Sequence, residues 1–204
     1  ATGAQKPLVV AWSFGTLVAM DYLRESGVSA LSGLVLTGAI GALKPFQLPP
    51  ADDPLVAEFA KARKLQMSPD PRDQVTSSWR MVDWLTDSPL PANERSVLQS
   101  IAMMFPGYAR RAIYSRPQDN QDLLPLLAGL PVRLALGSED NALMVEDGVG
   151  LAEGHDTISL SMYEGAGHSV FLEDPDRFTA ELRKFAVSLW PGAADTAEIA
   201  ASAN

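Results

Sequence analysis

Apolar and polar positions along the chain follow two rhythms, short unbroken apolar runs and helical repeats. Leu8-Val9-Val10-Ala11 is apolar without alternation, which predicts a strand buried on both faces of a parallel sheet. Behind it, Leu17, Val18, Met20 and Leu23 recur at helical spacing up to Gly27, a residue suited to ending a helix. The run 31–37, closed by Gly38, reads as a second buried strand, so strand, helix and strand form one right-handed parallel unit. From Leu43 to about Leu130 strand-like runs stop. Prolines, methionines and tryptophans enter helical patterns there, with helix starts at Asp53-Pro54, at Asp70-Pro71 and near Asn93. Strand character returns at 131–136 and at 157–163, around a weak helical pattern at 144–152 that Gly148 and Gly150 interrupt. A last helix starts at Asp174-Pro175 and carries Phe178, Leu182, Phe185 and Leu189 on one face.

This order predicts an α/β chain. Segments 1–42 and 131–190 form its core, 43–130 is a helical insertion, and 191–204, poor in large apolar groups, is a loose tail. The 204 residues suffice for one sizeable core. A net charge of −9, with no Lys/Arg cluster to offset it, argues against binding to nucleic acid or an anionic membrane through a basic patch. The same acidity fits a cytoplasmic surface. With no cysteine, disulfides, thiolate metal sites and cysteine nucleophiles are excluded together. No apolar run reaches the roughly 20 residues that a membrane-spanning helix needs.

Chemistry concentrates at three points. Ser13 stands on a corner between the first strand and its helix, flanked two residues away on either side by the small Ala11 and Gly15. Small residues at these places permit a strained turn that pushes the hydroxyl outward. Asp140 follows the strand 131–136, and His168 follows the strand 157–163. All three lie at carboxyl ends of parallel strands, the edge where ligands gather in open α/β sheets. A serine hydroxyl needs a base to become a nucleophile, and the base needs an acid to orient it. His155, at the amino end of its strand, lies on the wrong edge; Glu139 and Asp147 are reserve acids. The insertion reads as a cap over Ser13. Most of its apolar side chains fill its own core, with Trp12, Trp79, Trp84, Met103 and Met104 taken as pocket residues. Arg110, Arg111 and Arg116 read as a solvated helix face.

The stretches Val10-Ala11-Trp12-Ser13-Phe14-Gly15, Gly137-Ser138-Glu139-Asp140, Tyr163-Glu164-Gly165-Ala166-Gly167-His168 and Phe171-Leu172-Glu173-Asp174-Pro175 resemble the second half of an α/β-hydrolase. Ala11 replaces the first glycine of that family's Gly-x-Ser-x-Gly elbow. The resemblance extends over nearly the whole chain up to the tail, and its nearest branch is that of small bacterial esterases and cofactor-free chloroperoxidases. It implies acyl transfer from an ester or amide-like small molecule to Ser13 and then to water, with the Phe14 N–H as an oxyanion donor and no cofactor or metal; the Met and Trp residues of the insertion point to an apolar ester. Two other readings stand beside it: a perhydrolase using the same three residues, and an inactive hydrolase fragment whose insertion serves as an interaction surface. In this family four strands, and the loop that gives the second oxyanion donor, precede the elbow strand. The chain is therefore expected to be a C-terminal part whose 8–11 strand is an exposed edge. On its own it should be self-associated and weakly active, its partner a missing N-terminal half or a second copy.

Overall fold

The computed structural model describes residues 6–38, 54–116, 119–140 and 142–190. The expected helix start at Asp53, the beginning of the insertion at 43–53 and the tail at 191–204 lie outside the described residues.

The chain begins with strand β1 (Leu8–Trp12), helix α1 (Gly15–Ser26) and strand β2 (Gly33–Thr37). Helices α2 (Pro54–Leu65), α3 (Pro71–Val82), α4 (Ala92–Met103), α5 (Gly107–Ser115) and the short α6 (Leu124–Leu127) follow. Strand β3 (Val132–Gly137), helix α7 (Ala142–Gly154), strand β4 (Ile158–Tyr163), the one-turn α8 (Val170–Glu173) and α9 (Pro175–Leu189) complete the order. The four strands form one sheet in the order β1-β2-β3-β4, every pair parallel. Trp12 sits beside Thr37 and Thr37 beside Ala135, while β3 and β4 run on to Gly137 beside Tyr163; the loops that leave the four carboxyl ends share one edge.

Successive residues of a strand point to opposite faces, and the two faces are covered separately. Leu34, Leu36, Leu134 and Leu136 pack with Met20 and Leu23 of α1 and Leu151 of α7. Ala135 and Tyr163 face the other way, onto Ala166, Val170 and Phe178. β1 departs from the expectation of full burial: of its residues only Ala11 is buried, and Val10 is 44% exposed. The cause is its position at the end of the sheet, where among the described residues β2 is its one strand partner.

Gly148 and Gly150 do not interrupt α7, which runs unbroken from Ala142 to Gly154. A Cβ at Gly148 would lie 2.2 Å from the Leu136 side chain, so this glycine lets the helix lie close on β3. That approach offsets the roughly 0.5–1 kcal/mol a mid-helix glycine costs. The caps at Asp70 and Asp174 form as expected, their side chains accepting from the Arg72 and Arg177 N–H groups. α4 starts at Ala92, near Asn93 as expected, behind Pro91 and without a side-chain cap.

The arginine expectation fails at Arg110, which is 3% exposed. Its guanidinium donates to Ser78 Oγ at 2.7 Å and to the Ala102 carbonyl, joining α5 to α3 and to the end of α4. A buried guanidinium persists only where such acceptors meet it. Arg116 pairs with Asp21 of α1 at 2.6 Å, tying the end of α5 to the helix that follows β1. Only Arg111 is exposed as expected.

α9 is fastened to the sheet by a polar network around Glu181. Arg177 donates to its carboxylate at 2.9 Å, the Tyr163 hydroxyl at 3.1 Å and Arg133 at 3.3 Å. Burial works to raise the Glu181 carboxyl, and hydrogen bonds from Ser161, Arg177 and Tyr163 outweigh it and hold the group below its ordinary value. Burial, with the Glu181 charge added to it, pushes the Tyr163 hydroxyl up to about 12.

Candidate active site

Ser13 follows the last residue of β1 and has φ of 53°, a left-handed conformation that costs a non-glycine residue about 1–2 kcal/mol. Three hydrogen bonds hold it there. Its N–H donates to the Thr37 carbonyl at 3.0 Å, and its own carbonyl accepts from the Thr16 N–H at 2.9 Å and the Thr16 hydroxyl at 2.6 Å. Ala11 is buried, in keeping with the need for a small residue there. Gly15 is not under the same constraint: a Cβ built on it meets nothing within 4 Å among the described residues.

The loops that carry Asp140 and His168 are laced together. Ser138 donates its N–H to the Tyr163 carbonyl, Glu139 donates its own to the Ala166 carbonyl, and Gly165 donates to the Ser138 hydroxyl. At Gly137 a Cβ would fall 2.1 Å from the Ala166 carbonyl oxygen, so glycine is required for this approach.

These turns bring the three residues into one line. His168 Nε2 lies 2.9 Å from Ser13 Oγ, and His168 Nδ1 lies 3.0 Å from both carboxylate oxygens of Asp140. The Asp140 side chain is almost wholly shielded from solvent and that of His168 largely so. Neither reserve acid takes this place: the exposed Glu139 accepts from the neighbouring Ser138 hydroxyl, and Asp147 lies inside α7. His155 sits before β4, at the amino end of the strand.

Two contacts shape His168 further. The Trp12 indole N–H donates to the His168 carbonyl at 3.1 Å, and the Trp12 ring meets those of His168 and Phe171 at 5.9 and 5.4 Å. Trp12 thus props the histidine, a task that its sequence position beside Ser13 did not announce. Gly38 has φ of 52°, and a Cβ there would lie 2.8 Å from both Cε1 and the carbonyl oxygen of His168. In the sequence Gly38 marked a strand end, and that end is what brings it against the histidine.

The other expected pocket residues are spread over the insertion. Trp84 packs on Phe59 at 5.7 Å under the Arg80 guanidinium; Trp79 is exposed, Met103 half-buried and Met104 80% exposed. α5 reaches the residue after Ser13: its Tyr114 ring lies 5.3 Å from that of Phe14. Burial raises the Tyr114 hydroxyl above its ordinary value, and it donates to Gln66 of the 66–68 turn at 2.9 Å. Among the described residues none of the loop and cap hydrogen bonds takes the Phe14 N–H. No three of their His, Asp or Glu side chains are grouped to hold a metal ion, and none of their helices is long and apolar enough to cross a membrane.

The family model of the alpha/beta hydrolase family matches residues 1–181. The chain belongs to this family. Among solved structures it is similar to an esterase from a Rhodococcus species, at 28% identity with a TM-score of 0.74, covering 89% of this chain and 65% of that one. It is also similar to a protein of Burkholderia cenocepacia described as a putative aryl esterase, at 21% identity with a TM-score of 0.73, over 91% of this chain and 65% of that one. A bromoperoxidase from Bacillus anthracis matches at 16% identity with a TM-score of 0.72, over 89% and 67% of the two chains. The chain therefore spans 65% of the length of the first two of these structures. No curated protein matches it in sequence.

Proposed function

We propose that the protein is a serine hydrolase that cleaves carboxylic esters through an acyl-enzyme, with Ser13 as nucleophile, His168 as general base and acid, and Asp140 as the group that orients His168. The observation that carries this reading is the unbroken line from Ser13 Oγ to His168 Nε2 at 2.9 Å and from His168 Nδ1 to Asp140 at 3.0 Å. A carboxylate at Nδ1 favours the tautomer with its proton there, which leaves the Nε2 lone pair facing the serine hydroxyl.

In this mechanism Ser13 Oγ attacks the ester carbonyl while its proton passes to His168 Nε2. The negative charge that develops on the carbonyl oxygen meets the Phe14 N–H at the start of α1. As the intermediate collapses, the bond to the alcohol oxygen breaks and Nε2 returns the proton to that leaving group. Water then repeats the sequence on the acyl-serine and releases the acid and free Ser13.

The substrate class follows from the insertion, which we read as a cap over Ser13. Tyr114 packed against Phe14, the residue after Ser13, favours small esters with apolar acyl groups over charged ones. The esterase described from Rhodococcus supports the same choice of reaction. The acidic chain suits work in the cytoplasm.

Ser13→Ala in the intact protein tests this. It is expected to abolish labelling by a fluorophosphonate probe and to lower hydrolysis of p-nitrophenyl butyrate by about 10⁴-fold or more, with circular dichroism unchanged. Labelling that persists at another serine overturns the assignment.

A further inference from the structure

Glu173, the last residue of α8, sends its carboxylate in two directions. Oε1 accepts the N–H groups of Asp87 and Ser88 at 2.9 and 3.0 Å, and Oε2 accepts the Gly167 N–H at 2.7 Å. Asp87 and Ser88 belong to the turn between α3 and α4, whereas Gly167 immediately precedes His168. One carboxylate thus joins the helical insertion to the peptide that carries the histidine. Steric contact reinforces the join. A Cβ on Gly167 would lie 2.7 Å from the Asp87 nitrogen and 3.0 Å from the Thr86 carbonyl carbon, so the insertion's turn lies directly on this glycine. Thr86 closes that turn from within, its hydroxyl donating to the Ser88 carbonyl at 2.8 Å.

We infer that Glu173 is a positioning residue for acyl transfer, clasping the turn at 86–88 to the His168 loop so that the place of the histidine depends on the seating of the insertion. The inference rests on the serine-hydrolase reading. The two sides of His168 are held from different elements: Glu173 fixes the peptide before it, and Trp12 fixes its carbonyl. Between them they fix the backbone from which the imidazole reaches Ser13 Oγ. A carboxylate is suited to the task because both of its oxygens accept, and bonds to an ionised acceptor are the stronger kind. Glutamine has the same shape but one accepting oxygen. Its NH₂ would face either the Gly167 N–H or the two N–H groups of the turn, so one side of the clasp must open.

The test compares Glu173→Gln with wild type and with Glu164→Gln in the intact protein. Glu164→Gln makes the same charge change at an exposed position of the same loop. Burst titration with p-nitrophenyl acetate counts competent serines, and steady-state turnover is then divided by that count. The per-site kcat of Glu173→Gln is expected to fall by about 10- to 100-fold with KM little changed, the range associated with displacement of a catalytic group by an ångström. Glu164→Gln should match wild type. A purely structural role would reduce the number of titrated sites and leave the rate per site intact; that result, or an unchanged rate, overturns the inference. If Glu173→Gln does not fold, Glu173→Asp, too short to reach both sides, is judged by the same criterion. Failure of both to fold assigns the carboxylate to stability and also overturns the inference. A wild-type protein that no fluorophosphonate labels removes the serine-hydrolase reading itself, a separate outcome.

Discussion

The indole N–H of Trp12 donates to the carbonyl of His168 across 3.1 Å and 156 positions of sequence. The residue before Ser13 therefore holds the residue whose ring meets Ser13. Trp12→Phe keeps a ring against Phe171 and removes only the donor. It should lower kcat by about 10-fold, within the range that misplacement of a catalytic group produces, while the thermal midpoint changes little. Stopped-flow acylation with an activated ester measures this, and an unchanged acylation rate would show that the bond has no part in placing the histidine.

Gly38 leaves no room for a side chain beside His168. A Cβ would be 2.8 Å from Cε1 and 3.0 Å from Nδ1, on a backbone with φ of 52°. Gly38→Ala should cost about 1–2 kcal/mol of stability for the left-handed backbone. It should also cut fluorophosphonate labelling by about 100-fold through displacement of the imidazole. Urea unfolding and labelling kinetics on the same preparation separate the two effects. Labelling at the wild-type rate would mean that the histidine yields without leaving its place.

The Tyr163 hydroxyl, pushed up to about 12, gives the protein an alkaline limit. Its folded value lies above its ordinary one, so the contribution is complete below about 10 and is lost as pH rises from there through about 12. Tyr163→Phe removes this titration, and its stability should fall less steeply than that of wild type across that window. Glu181 sets the opposite limit. Held below its ordinary value, it contributes above that value and loses its contribution as pH falls through the lower folded one. Chemical denaturation midpoints across the two pH ranges check both signs; a Tyr163→Phe curve parallel to wild type at high pH would contradict the first.

Among the described residues β1 has a strand partner on one side only, with Val10 44% exposed and no charge among its five residues. An apolar strand edge pairs readily with other chains, and lysine is a common protection. The 204-residue chain by itself is therefore expected to self-associate, and Val10→Lys should shift it toward monomer. Sedimentation velocity at several concentrations decides this. A wild-type chain that sediments as a monomer throughout would show that the edge is covered.

Much of the core was legible because its rules are local. Short strand-like runs marked the four strands to within one or two residues, and Asp70 and Asp174 announced their helices through caps that act within three residues. The order of Ser13, Asp140 and His168 behind parallel strands pointed to one edge, since parallel strands present all their carboxyl ends on the same side of the sheet. Where prediction failed, the deciding contact was distant in sequence. Arg110 looked like part of a solvated face until Ser78 and Ala102 were found around it, and Gly148 looked like a helix breaker until Leu136 was found beneath it.

The sequence by itself determined that a serine, an aspartate and a histidine stand just past the carboxyl ends of parallel strands, because residue type and periodicity are properties of short stretches. Only the tertiary structure decided that Trp12 serves His168 through a hydrogen bond, that Gly38 rather than Gly15 is the glycine hemmed in beside the site, and that Glu173 joins the insertion to the histidine loop. Those choices depend on fitting atoms within about 3 Å of one another across the whole chain. Packing at that scale is set by the sheet and its helices together, and no window of sequence contains it.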